Sequence, residues 1–315
     1  MKRRTFLEAT AAAAALAPWV VPAARAEAEL YGAAKEEGQV TWYTAHFDSQ
    51  TAEAIGNAFA KKYPGIKPNV VRTTAQVAFQ RLSQDLKTGI AECDVFGSTD
   101  LGHYVRLKPM GVFLQYTPPS AANVLPAFRD IDPDGEYFVT SAGLICITYN
   151  KDKVKESEAP RNWPDLLDPR WKDQISVGHP GFSGYVGTWV VAMRNRYGWE
   201  FFEKLKANNP QVGRSINDTV TMLNSGERSV AAGPEAPTLE SAARGNPLGV
   251  VYPSDGALLM IAPSAIMKNS RRPNAAKLFI DFLMGPEASE VMVRNFGPPI
   301  VPGSRPHPAP SRSAR

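Results

Sequence analysis

Cysteine and histidine are scarce in this chain: two and four among 315 residues, with neither type grouped. No Cys-x-x-Cys pair occurs, which excludes a zinc ribbon, a thioredoxin-like redox pair and a four-thiolate iron–sulfur cluster. Gly-x-Ser-x-Gly, His-Glu-x-x-His and the phosphate-loop lysine motif are absent too. The run Gly181-Phe182-Ser183-Gly184 looks superficially like a serine elbow, but its spacing is wrong. An enzyme therefore finds little to work with, and no cofactor is expected. Cys93 and Cys146 each sit in an apolar, strand-like run and read as buried free thiols, on core strands too far apart to pair.

Also missing is an apolar stretch of the roughly 20 residues that a bilayer-spanning helix needs. The alanine-rich run at residues 9–17 is too short and has no polar face at helical spacing. It follows Met1-Lys2-Arg3-Arg4-Thr5-Phe6-Leu7 and leads to the small-x-small triplet Ala24-Arg25-Ala26. That order is an export signal of the twin-arginine type, with the mature chain starting at Glu27 in the periplasm. Lys2 stands where such signals more often carry Ser or Thr, so the general secretory route stays open. With no cysteine near the cut, no lipid anchor is expected.

Charge of one sign is lacking as well. Residues 1–26 hold four of the 35 basic and one of the 31 acidic residues, so the mature chain is nearly neutral. Nucleic acid and other polyanions drop out as partners.

What the chain does have is alternation. Residues 39–43 are apolar and β-prone, and Asp48-Ser49 can cap a helix that runs to Tyr63 and stops at Pro64-Gly65. On that helix Ala52, Ile55, Ala58 and Phe59 share a face. Strands at 69–72 and 94–97 are followed by helices at 76–87 and 101–108, the order of a parallel doubly wound sheet. Thr117-Pro118-Pro119-Ser120 interrupts it, and a long β-rich run covers 137–149. Beyond a helix-and-turn region at 163–171, strands are expected at 174–177, 229–232, 248–252 and 256–262. Helices are expected at 187–197, 199–206, 218–224, 238–244, 274–283 and 286–294. The size of the chain favours two lobes: 27–117 with 256–301, and 118–255 with the crossings. The tail at 302–315, rich in Pro, Ser and Arg, offers no core.

Four stretches carry a family likeness: Val40-Thr41-Trp42-Tyr43-Thr44-Ala45; Cys93-Asp94-Val95-Phe96-Gly97-Ser98; Ile147-Thr148-Tyr149-Asn150-Lys151 with Asn162-Trp163-Pro164-Asp165-Leu166; and residues 275–283 with Pro286-Glu287-Ala288. In this order and spacing the chain resembles the extracellular solute-binding proteins of the ferric-iron-type subgroup. The resemblance implies an α/β type II periplasmic binding protein-like fold, with two doubly wound lobes joined by crossing strands and a ligand cleft between them. It also implies hinge closure on a small molecule and delivery to an ABC permease in the inner membrane; a monomer is expected.

In open α/β sheets ligands gather beyond the carboxyl ends of strands, where helix N-termini present unpaired N–H groups. That rule selects Thr44, Ala45, His46 and Asp48 after the first strand, and Ser98, Thr99 and Asp100 after the third. It selects His179, Gly181, Ser183, Gly184 and Thr188 after a strand of the second lobe. Residues 213–218, including Asp218, precede another helix; Glu235 follows Gly233-Pro234; Tyr252 and Asp255 lie near the return crossing. Asp48, Ser98 and Asp218 serve equally well as ordinary helix caps. Iron binders of the subgroup use adjacent tyrosines, and no Tyr-Tyr occurs here, which weighs against direct ferric binding while leaving a chelated metal open. Helix N-termini with Ser and Thr suit a phosphate, phosphonate or carboxylate, whereas Asp48, Asp100, Glu235 and Asp255 suit an amine; the balance tips slightly to an acidic group on a polar organic ligand. A sensor subunit reporting the same ligand is the competing reading, because transport and sensing need the same closed form.

Overall fold

The computed structural model describes residues 21–303. The arginine pair, the run at residues 9–17 and the tail from residue 304 lie outside the described residues. Helix α1 (Val21–Glu37) comes first and spans the Ala24-Arg25-Ala26 triplet. Its apolar stripe is short, with Leu30, Tyr31 and Ala34 packed on the first-lobe core among alanines and acids. It is fixed from its end: the Glu37 carboxylate accepts from Asn274 N at 3.2 Å and Ala275 N at 2.7 Å, capping helix α9 (Pro273–Leu283).

In the first lobe, β2 (Lys67–Arg72), β1 (Gln39–Thr44) and β3 (Val95–Gly97) run parallel, with Thr44 level with both Arg72 and Gly97. Their carboxyl ends therefore lie in one line. Helices α2 (Ser49–Lys62), α3 (Ala75–Thr88) and α4 (Leu101–Leu107) each leave from that line. Successive residues of β1 feed opposite faces of the sheet. Trp42 joins Ile55, Phe59, Phe279 and Phe282 in one core, while Tyr43 joins Phe96 and Tyr104 in a second.

The second lobe repeats the plan. Parallel strands β6 (Gln211–Gly213), β5 (Ile175–Gly178) and β7 (Val230–Pro234) send out α5 (Gly184–Tyr197), α7 (Asp218–Asn224) and α8 (Glu235–Ala243), with α6 (Glu200–Ala207) behind. Trp163, Trp189, Phe201 and Met193 fill its core.

Two antiparallel strands, β4 (Tyr137–Asn150) and β9 (Leu258–Ile266), join the lobes, and β8 (Leu248–Val251) pairs with β4. The sheet order is β2-β1-β3-β9-β4-β7-β5-β6. Within β4 the change of lobe is sharp: Val139 and Ala142 belong to the first core, Ile145 and Ile147 to the second. In β9, Met260 packs in the second core and Ile266 in the first. Residues 118–139, read from sequence as second lobe, pack on the first, where Val124 and Phe128 are core residues and Leu125 N donates to Ile300 O at 2.8 Å. The prolines at 118 and 119 end the helical pattern without ending the lobe. Helix α10 (Pro286–Arg294) closes the described chain. No helix among the described residues is long and apolar enough to cross a membrane.

Candidate functional site

A cleft between the lobes holds ≈ 750 Å³ of empty space, its open mouth included, and both walls are built from strand ends and helix starts. The first-lobe wall carries His46, Asp48, Thr51, Arg72, Thr74 and Thr99; the second-lobe wall carries Ser183, Tyr185, Ser215, Asn217 and Glu235. Ala142 and Gly143 of β4 form part of the floor. A side chain at Gly143 would run into the Tyr185 hydroxyl, 2.4 Å from where its Cβ would stand, so glycine here lets the phenol lie against the crossing strand.

The lobes touch. A Cβ on Gly184 would lie 2.4 Å from the backbone carbonyl of Thr99 and 2.6 Å from Asp100 N, and Gln76 N donates across the gap to Phe182 O at 3.4 Å. The first turn of α5 is thus pressed backbone to backbone against the loop after β3.

Of the residues selected from sequence, Ala45, His46, Asp48, Thr99, Ser183, Glu235 and, from the stretch 213–218, Ser215 and Asn217 line the cleft. The others are elsewhere. Thr44 is fully buried, and its Oγ1 accepts from His46 N at 3.3 Å, setting the bend after β1. Ser98 is fully buried, and its Oγ meets His103 Nδ1 at 2.8 Å and accepts from Asp100 N at 3.1 Å. Asp100 caps α4, accepting from Gly102 N at 2.8 Å. Gly184 is the lobe contact already described. Thr188 lies exposed on α5, one turn past the wall. Asp218 accepts from Ser215 N at 3.0 Å and so shapes the loop that lines the cleft without lining it. Tyr252 stands outside, with its hydroxyl donating to Glu235 Oε1. Asp255 is a brace: it accepts from Trp163 N at 3.1 Å and from the Tyr197 hydroxyl. His179 is exposed and accepts at Nδ1 from Gly181 N at 3.0 Å.

Arg72 and Thr74 were not foreseen. They come at the end of the second strand, which closes on Arg72 and obeys the same strand-end rule as the first and third. Arg72 Nε donates to Phe47 O at 2.5 Å, and burial pulls the guanidinium below its ordinary range while Asp48 and Asp218 hold it up. Thr74 occupies the N-cap of α3 without capping it, and its buried Oγ1 has no hydrogen-bond partner among the described residues. Ser183 likewise makes no side-chain cap bond at the start of α5. Asp48, by contrast, accepts from both Thr51 N and Thr51 Oγ1 at 2.9 Å. His46 is 7 % exposed; Nε2 donates to Pro263 O at 2.9 Å, and burial pushes its pKa down to about 4 against the pull of the Pro263 and Ser98 carbonyls. Burial likewise raises the Glu235 carboxyl, with the Tyr252 hydrogen bond opposing. Among the described residues no three His, Cys, Asp or Glu side chains gather as a metal site.

Two α/β lobes, two crossing strands and a cleft between strand ends, with a few polar side chains on each wall, are the architecture of a solute-binding protein. Residues 94–314 match the family model described as bacterial extracellular solute-binding protein, and the chain belongs to that family. It is 24% identical over 276 residues to a "Putative 2-aminoethylphosphonate-binding periplasmic protein" of Salmonella paratyphi A, across 84% of this chain and 75% of the relative. Its fold matches the periplasmic binding protein AfuA of Actinobacillus pleuropneumoniae with fructose-6-phosphate bound (TM-score 0.78, 21% identity, 87% and 88% of the two chains). It also matches iron-bound HitA of Pseudomonas aeruginosa (TM-score 0.73, 21% identity, 86% and 89%). The chain is a periplasmic solute-binding component of an ABC importer and not an enzyme.

Proposed function

We propose that the cleft captures a small polar organic molecule through an acidic group, a phosphonate, phosphate or carboxylate, and that closure of the lobes precedes delivery to the permease. One observation carries this reading: the half-buried guanidinium of Arg72 lies in the same wall as the start of α3, where Thr74 offers a buried hydroxyl that the fold does not use. A charged donor, a hydroxyl and the positive end of a helix suit a tetrahedral or planar oxyanion. Ser183 and the start of α5 face it from the other lobe, so the acidic group would be shared between walls and favour closure. Two similar proteins are named for, or hold, a phosphorus oxyanion. We take the protein to be a monomer, exported by the twin-arginine signal and cut after Ala26, with hinges inside β4 and β9.

The test is a thermal-shift screen of residues 27–315 against phosphonates, phosphate esters, carboxylates, polyamines and ferric complexes. A ligand at about 100 times its dissociation constant stabilises by roughly 2.7 kcal/mol, and Arg72→Gln is expected to abolish that shift for the acidic compound. A polyamine or a ferric salt as the sole stabiliser, unaffected by Arg72→Gln, sinks the reading.

A further inference from the structure

The cleft is richer in acceptors than one anionic group needs. Arg72 is the one cationic side chain among its described lining residues, and Asp48 and Glu235 oppose it. The charges of Asp48 and Asp218 already act on Arg72. Asp48 spends both oxygens on Thr51. Glu235 does not: 8 % exposed at the start of α8, it receives the Tyr252 hydroxyl on Oε1, and Oε2 has no donor among the described residues. A buried carboxylate met by a single neutral donor is under-compensated.

The opposite wall supplies an independent sign. With Nε2 committed as donor to the Pro263 carbonyl, the neutral ring of His46 presents Nδ1 as an acceptor. That nitrogen is buried and has no hydrogen-bond partner among the described residues. Two acceptors with spare capacity thus belong to residues that line one cleft from opposite walls. A water molecule would satisfy either lone pair but would not balance the charge on Glu235.

We infer that the solute is a zwitterion, with Glu235 as counter-ion to its ammonium group, His46 Nδ1 as a neutral acceptor for an N–H, and Arg72 with Thr74 at the acidic end. This rests on the acidic-group reading of the same cleft. It adds a requirement for a primary or secondary amine separated from the anion by a short chain.

Calorimetry on the full mature chain, stripped of bound solute by partial unfolding and refolding, tests both layers. The probes are short aminoalkylphosphonates and aminoalkylcarboxylates, their amine-free counterparts and the matching diamines. The best zwitterion is expected to bind at least about tenfold tighter than either single-charge analogue, since each lacks one charge-assisted contact. Glu235→Gln is expected to remove about that factor for the zwitterion while leaving the amine-free acid within about threefold, in a protein whose circular dichroism is unchanged. An amine-free acid that binds as tightly as the zwitterion overturns the inference and leaves the acidic-group reading standing. A diamine that binds tightest, or no binding by any probe, overturns both.

Discussion

The two walls of the cleft have the same design and spend their polar residues differently. Around the first-lobe wall most polar residues at the ends of β1 and β3 are drawn into the fold: Thr44 sets a bend, Ser98 holds His103, and Asp48 and Asp100 cap helices. On the second-lobe wall Ser183 leaves its helix uncapped by its side chain, and Glu235 has one phenol for company. A strand-end rule finds both sets equally. What separates them is whether the local turn has already used the side chain, and that depends on hydrogen bonds a sequence does not display. If the contrast holds, changes to the bend-setting and capping residues of the first lobe should register mainly as stability, whereas changes to Arg72, Ser183 and Glu235 should register mainly as affinity.

The largest expected effect belongs to His46. Its folded pKa of about 4 lies below the ordinary 6.5, so between those values the unfolded chain binds more protons than the folded one. Its contribution is whole above pH 6.5 and is lost as the pH falls towards 4, about 3 kcal/mol in all. Urea titrations at pH 7.5 and 4 should show that loss in the wild type and a smaller one in His46→Gln. An equal pH dependence in both would mean that the ring is not the buried neutral group described here, and the first wall would lose its main claim on stability.

Gly184 sharpens the contrast from the other side. A methyl group there would meet the Thr99 carbonyl at 2.4 Å, and backbone cannot yield as a side-chain tip can. The clash is relieved by parting the lobes, so Gly184→Ala should weaken binding by about 2 kcal/mol, roughly 30-fold, while leaving the unliganded melting temperature nearly unchanged. Scattering would show the variant extended with and without ligand. A drop in melting temperature at undiminished affinity would assign the glycine to folding instead.

Much of this was legible. Apolar runs at 39–43, 94–97 and 137–149 became β1, β3 and β4, and the alternation with helices gave the two-lobed fold. The misses have physical reasons. Strand β6 is three residues long and follows Asn208-Asn209-Pro210, too short for any period to show. Helices α5 and α8 begin three residues before the starts expected at 187 and 238, because their first turns open on Gly184, pressed against Thr99, and on Glu235, held by Tyr252, and neither carries an apolar period. Those missing first turns are where the second wall lies, so the site was harder to read than the fold. Arg72 escaped for another reason: in a strand of mixed exposure a terminal arginine reads as a surface charge, and only the pairing of Arg72 with Thr44 brings it to the cleft.

Asp255 checks that the contrast is between walls and not between lobes. It belongs to the second lobe yet is tied to Trp163 N and the Tyr197 hydroxyl, away from the lining residues. Asp255→Ala should cost about 1–2 kcal/mol of stability, the value of hydrogen bonds to a charged group, with affinity within about twofold of wild type. A large loss of affinity would return Asp255 to the cleft and blur the distinction.

The smallest effect is the most discriminating, because its sign is opposite in the two measurements. Burial raises the Glu235 carboxyl, so the folded protein holds that proton more tightly than the unfolded chain does. A group raised in this way favours the folded state at low pH and opposes it once the pH exceeds the folded value. At pH 7.5 the ionised carboxylate is therefore a burden on the empty protein. Glu235→Gln keeps the shape and an acceptor for Tyr252 while removing the charge, and should raise the unliganded stability by up to about 1 kcal/mol. The gain should shrink as the pH is lowered and Glu235 takes up its proton in the wild type. A residue kept at a cost to the empty fold is kept for what fills the cleft, and loss of stability in Glu235→Gln at pH 7.5 would place Glu235 with the braces of the first wall.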